Sequence, residues 1–133
     1  MEFHIIDDYS YVGEVIAEAL KAEGYSTRLF SCPSEYIRFS KSEMFIPPVA
    51  ILTDIKMPKM SGYELIDQLH SRLPNQKFVV ISATPSINHP TMRKVSALLH
   101  KPLNFELLVE TAASLAASHS IGPEQTENAD QFT

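Results

Sequence analysis

The sequence predicts an α/β fold, a doubly wound parallel sheet of five strands with helices on both faces. Three observations carry this. Short apolar runs that read as strands buried on both faces recur along the chain, at 3–6, 49–52 and 78–81. Helix-length segments with apolar residues at three- and four-residue spacing separate them. The alternation of strand and helix repeats five times, which is the pattern of a parallel sheet.

Phe3, His4, Ile5 and Ile6 form the first strand, which ends in two adjacent acids, Asp7 and Asp8. Residues 10–23 form a helix, with Val12, Val15, Ile16, Ala19 and Leu20 on its apolar stripe and Gly24 ending it. Residues 25–30 form a second strand, which polar residues interrupt. Residues 32–41 make a poor second helix with Pro33 near its start and Tyr36, Ile37 and Phe39 on its apolar side. The third strand follows the Pro47-Pro48 pair and ends at Asp54. Ser61-Gly62-Tyr63-Glu64 is a capping-box pattern that starts the third helix, whose stripe is Leu65, Ile66, Leu69 and Leu73. Phe78 to Ile81 is the fourth strand, ending in Ser82-Ala83-Thr84. A loop bracketed by Pro85 and Pro90 leaves room for only a short fourth helix, residues 91–96. Ala97, Leu98 and Leu99 form the fifth strand, ending at His100-Lys101-Pro102. Asn104 is a cap for the last helix, striped by Phe105, Leu108, Ala112 and Leu115.

The apolar pattern stops at Ser118, so the chain divides into one folded unit, 1–118, and a polar tail, 119–133, expected to be disordered. A length of 133 residues suits one domain with one core. Eleven Lys and Arg against sixteen Asp and Glu give a net charge of -5, with no basic block to neutralise phosphates, so direct nucleic-acid binding is not expected. No apolar run reaches the length of a membrane span, and the N-terminus lacks a signal-peptide pattern. The single cysteine, Cys32, excludes an internal disulfide. A cytoplasmic protein is the simple expectation. His4, His70, His89, His100 and His119 show no ligand spacing and read as ordinary surface or strand-flanking residues.

Right-handed crossovers bring every strand's C-terminal end to one edge, the edge where open α/β sheets place their chemistry. That edge collects Asp7, Asp8, Asp54, Ser82 and Lys101. Converging carboxylates repel unless a cation joins them, and hard oxygen ligands of this kind suit Mg2+. Lys101 and Ser82 are groups that would hold a phosphoryl moiety, and an aspartate can attack phosphorus to form an acyl phosphate. Asp54, standing singly at the central strand, is the best nucleophile. Each residue also has a plain reading: a turn-initiating Asp54, a Ser82 bonded to backbone, a solvated Lys101. All of those must hold together to remove the site.

Four segments, FHIIDD (residues 3–8), TDIKMPKMSG (53–62), VVISA (79–83) and LLHKP (98–102), resemble the receiver domain of two-component response regulators over residues 3–117. The resemblance implies a flavodoxin-like (βα)5 fold with strand order 2-1-3-4-5. It implies that Asp54 accepts a phosphoryl group from a histidine kinase or phosphotransfer protein. Asp7, Asp8, Asp54 and the backbone carbonyl of Lys56 would hold Mg2+. Lys101 and Ser82 would contact the phosphoryl group, and Lys56 and Thr84 would tune its hydrolysis. Such a domain catalyses its own phosphorylation and dephosphorylation and is not an enzyme toward external substrates. Two departures stand out. Leu98 occupies a position where the family commonly carries Tyr or Phe, and the segment between Ser82 and Lys101 is short.

Two arrangements are expected from the chain: a stand-alone regulator, a monomer or weak dimer whose output passes through contact with a downstream effector protein, which Met1 and the tail slightly favour, or a piece of a longer regulator in which another domain carries the output. The alternative is a pseudo-receiver, a phosphorylation-independent protein-interaction module. A metal-dependent phosphatase on a similar sheet would carry a second Asp two residues after its nucleophile, where this chain has Lys56.

Overall fold

The computed structural model describes the backbone over residues 1–84 and 88–131, and side chains over 1–84 and 88–119. Five parallel strands, β1 (Glu2–Ile6), β2 (Ser26–Phe30), β3 (Ala50–Asp54), β4 (Phe78–Ser82) and β5 (Ala97–His100), form one sheet in the order β2-β1-β3-β4-β5. The expected doubly wound, flavodoxin-like architecture is present. The helices are α1 (Ser10–Ala22), α2 (Pro33–Ser40), α3 (Gly62–Arg72) and α4 (Phe105–Gln131). Residues 85–87 of the proline-bracketed loop, and the tail side chains beyond His119, lie outside the described residues.

Side chains alternate across the sheet, so each central strand feeds two cores. Phe3, Ile5, Leu52, Val79 and Ile81 meet Ile16, Ala17 and Leu20 of α1 and Leu108, Ala112 and Ala116 of α4. Ile6, Ile51, Phe78 and Val80 meet Tyr36 of α2 and Leu65, Ile66 and Leu69 of α3. Full burial of each Val, Leu, Ile or Phe side chain among these contributes about 1.5–3 kcal/mol. β2, at the sheet edge, exposes Ser26, Arg28 and Leu29, which is why its sequence is interrupted by polar residues.

The helix ends follow the local chemistry. The Ser61 hydroxyl accepts from Glu64 N–H at 3.1 Å, and Ser61 N–H donates to the Glu64 carboxylate at 3.2 Å, completing the capping box. Asn104 accepts from Leu107 N–H at 3.0 Å and caps α4. Gly24 takes φ +93°, a conformation that other residues adopt only with strain, and turns the chain from α1 into β2. The backbone of α4 remains helical past Ser118, where its apolar spacing ends.

The short fourth helix is a single 3-10 turn, Pro90–Lys94. It is held to α3. Thr91 Oγ1 donates to the Asp67 carboxylate, at 2.9 and 3.0 Å from its two oxygens, and Lys94 Nζ reaches Asp67 Oδ1 at 2.8 Å. The His89 ring stacks on Tyr63, with centroids 3.8 Å apart, and its Nδ1 accepts from Thr91 N–H.

His4 departs from the reading of the histidines as ordinary surface or strand-flanking residues. It is fully buried in β1, ringed by Phe30, Tyr36, Phe39 and Phe45. Its Nε2 lies 2.8 Å from Glu2 Oε1 and its Nδ1 2.7 Å from the Tyr36 hydroxyl. A carboxylate accepts only, so Nε2–H donates to Glu2 and Tyr36 O–H donates to Nδ1. Burial pushes the His4 imidazole down and the Tyr36 phenol up, so both stay neutral.

Candidate active site

The strand register puts the functional side chains at one level. Ile6 pairs with Thr53, Asp54 with Ile81, and Ser82 with His100, so Asp7, Asp54, Ser82 and Lys101 all stand where their strands run out. Asp7, Asp8 and Asp54 can each offer a carboxylate oxygen within 4.8 Å of the others. Lys101 Nζ donates to Asp54 Oδ2 at 3.0 Å and lies 3.9 Å from Asp7 Oδ2. Four of the five expected residues therefore converge.

Ser82 sits at the same edge, and its carbonyl accepts from Lys101 N–H at 3.0 Å. Its buried hydroxyl is engaged locally, accepting from Thr84 N–H at 3.2 Å. Lys56 and Thr84 flank the site with exposed side chains.

The three acids differ in environment. Asp7 is only 2% exposed, Asp54 is half-buried and Asp8 faces solvent. Burial raises the Asp7 carboxyl above the ordinary range, and the charges of Asp54 and Asp8 add to this. The Tyr9 N–H, 2.8 Å from Asp7 Oδ1, and the Lys101 ammonium work in the other direction. Asp54 is held at both oxygens, Oδ1 by Ile55 N–H at 2.7 Å and Oδ2 by Lys101.

Two contributors were not visible as site residues in the sequence. Gly62 packs directly on the Asp54 backbone, and a Cβ there would run into the Asp54 carbonyl. Gly62 N–H also donates to the Ile55 carbonyl at 2.8 Å, closing the 55–62 loop against the end of β3. Thr53 Oγ1 donates to the Asp54 carbonyl at 2.8 Å. The glycine was readable as part of the capping-box pattern, whereas nothing in the local sequence marks the threonine.

The donor set is three carboxylates with one ammonium, which leaves negative charge in excess and offers only hard oxygen ligands. That chemistry fits Mg2+, which binds through a few carboxylates and keeps waters for a phosphate to replace. The cluster is a candidate Mg2+ site. Among the described residues, no helix is long and apolar enough to cross a membrane.

A five-stranded 2-1-3-4-5 sheet with this acid cluster and lysine at its carboxyl edge is a doubly wound α/β domain with a candidate phosphorylation and Mg2+ site. A family model described as the response regulator receiver domain matches residues 3–113, and the chain belongs to that family. The DNA-binding transcriptional regulator NtrC of Proteus hauseri is 25% identical over 133 residues, covering 96% of this chain and 27% of that protein. The transcriptional regulatory protein FixJ of Rhizobium meliloti (strain 1021) is 24% identical, covering 91% of this chain and 59% of that protein. The chain thus spans about a quarter and about three fifths of these curated relatives. The crystal structure of response regulator TrrA from Thermotoga maritima, in complex with Mg2+ and BeF, superposes with a TM-score of 0.75. It is 22% identical, covering 86% of this chain and 97% of that one.

Proposed function

We propose that Asp54 is the phosphoacceptor. The observation that carries this is the Lys101 ammonium 3.0 Å from Asp54 Oδ2, beside a cluster of three carboxylates at the end of the central strand. An Asp54 carboxylate oxygen attacks phosphorus, the bond from phosphorus to the donor atom breaks, and the donor leaves with that electron pair. In this reading Asp7, Asp8, Asp54 and the Lys56 carbonyl hold Mg2+. When bound, the ion screens the charge on the phosphoryl oxygens. Lys101 pairs with one of those oxygens, as an ammonium already placed beside the acceptor carboxylate. Ser82 leaves Thr84 N–H and donates its hydroxyl proton to another. Lys56 and Thr84, exposed on either side, tune the approach of water and so the hydrolysis rate.

The donor is a histidine kinase or phosphotransfer protein. The receiver unit is residues 1–118, and 119–133 are a C-terminal tail whose backbone continues α4 as far as Gln131. The response passes to an effector protein through a changed surface, with the domain itself a monomer or weak dimer. The charge of -5 gives no basis for direct DNA contact by this unit. TrrA's complex with Mg2+ and BeF supports the metal assignment by likeness.

The test is incubation with acetyl phosphate and Mg2+, read by intact-protein mass beside Asp54→Ala. One phosphoryl group on the wild type and none on the variant supports the assignment. No adduct, under conditions that load a control regulator and with a cognate kinase, favours a phosphorylation-independent binding module. The observations on that side are Leu98 in place of an aromatic residue and the 3-10 turn fastened to α3.

A further inference from the structure

Thr53 is a polar side chain in an apolar place. It is 1% exposed and lies between Ile6 of β1 and Val80 of β4, its partners in the sheet register. By alternation it shares the face of Ile51, where both of those neighbours belong to the core under α2 and α3. A hydroxyl buried among such groups needs a partner, and it has one, the Asp54 carbonyl at 2.8 Å. That carbonyl belongs to the peptide joining Asp54 to Ile55. The peptide is planar and trans, so fixing its C=O also fixes its N–H. The same N–H donates to Asp54 Oδ1 at 2.7 Å. Gly62 crowds the carbonyl as well, which limits the directions in which the plane can tilt.

We propose that Thr53 is a positioning residue for the Asp54 carboxylate, acting through the Asp54–Ile55 peptide plane. Its hydroxyl sets the plane, the plane aims Ile55 N–H, and Ile55 N–H holds Oδ1 while Lys101 holds Oδ2. One oxygen is thus fixed by the residue that follows the aspartate, the other by a residue 47 positions away. Small misplacements of a reacting group cost large factors in rate, so this constraint bears on phosphoryl transfer. The kinetic consequence rests on Asp54 being the phosphoacceptor. The geometric claim does not.

The experiment compares wild type, Thr53→Val and Thr53→Ser. Valine keeps the volume and loses the hydroxyl, and serine keeps the hydroxyl. The first readout is hydrogen exchange of the Ile55 amide by NMR, with core amides of β3 as the control for global stability. Ile55 exchange should rise by about tenfold in Thr53→Val beyond any change in the controls, and return toward wild type in Thr53→Ser. The second readout is the phosphorylation rate constant at saturating acetyl phosphate and Mg2+. It should fall by about tenfold in the valine variant and by no more than about twofold in the serine variant. Unchanged Ile55 exchange in Thr53→Val, or a loss in Thr53→Ser equal to that in Thr53→Val, overturns the proposal. A wild type that takes no phosphoryl group while Ile55 exchange behaves as expected refutes the phosphoacceptor reading and leaves the positioning intact.

Discussion

Two glycines make a matched test of how tightly the chain is packed behind the site. The atoms nearest to a Cβ added at Gly62, the first residue of α3, would all be backbone. A Cβ there would overlap the Asp54 carbonyl oxygen and lie 3.0 Å from both the Asp54 carbonyl carbon and Ile55 Cα. Those atoms belong to the end of β3 and the loop after it, which Gly62 N–H itself fastens through Ile55 O. Gly13, inside α1, faces a different neighbour. Its Cβ would meet the Cδ1 methyl of Leu29, the far end of a side chain that is 36% exposed and free to swing away. Gly62→Ala therefore costs overpacking strain of about 1–3 kcal/mol. With an unfolding entropy of about 2 cal/mol/K per residue, that lowers Tm by roughly 4–11 °C. Gly13→Ala should fall between no change and a gain of about 1 kcal/mol, the helix preference of alanine over glycine. Thermal and urea denaturation followed by circular dichroism at pH 7 measures both. Equal shifts in the two variants, or a Gly62→Ala protein as stable as wild type, would refute the reasoning. Because the clash falls on the Asp54 carbonyl, Gly62→Ala should also slow phosphorylation, whereas Gly13→Ala should not.

Three other changes have definite expected outcomes. Asp7→Asn should raise Tm at pH 7 and weaken Mg2+ binding. Burial lifts the folded carboxyl above 3.8, so the native state holds its proton more readily than the unfolded chain. Stability then falls as pH rises from that ordinary value through the raised one, and the gain from Asp7→Asn should shrink as pH is lowered toward about 4, which denaturation across pH will show. Tyr36→Phe removes the donor to His4 Nδ1 and leaves a buried ring nitrogen without it, so urea denaturation should show a loss of about 1–3 kcal/mol. Asp67→Ala takes the carboxylate from both Thr91 and Lys94, so amide exchange over 90–94 should accelerate while β3 and β4 stay protected.

The βα alternation was legible because periods of two and 3.6 are local properties of the chain, and so were the capping box at Ser61 and the cap at Asn104. The convergence of Asp7, Asp54 and Lys101 was also legible, although they are far apart in sequence. Parallel strands with right-handed crossovers leave only one edge for their C-terminal residues, so the sheet does the gathering. Ser82 was placed correctly at that edge, but its bond to Thr84 N–H depends on the course of one loop. The sequence marked the segment after β4 as short; only its attachment to Asp67, some 24 residues earlier, explains the single 3-10 turn.

His4 shows the same division. The run FHII marked a buried strand, but the imidazole's neutrality depends on Tyr36, 32 residues later, and on the aromatic rings that close over it. Thr53 differs again, since its bond is to the next residue, yet its meaning comes from burial on the α3 side and from Gly62 closing over the same peptide. Local periodicity and chain handedness make the elements, their order and the edge at which the acids and the lysine meet readable from the residues alone. Which polar atoms are satisfied by which partners emerges only in the folded chain, because the tens of residues between most of those partners carry no local pattern linking them.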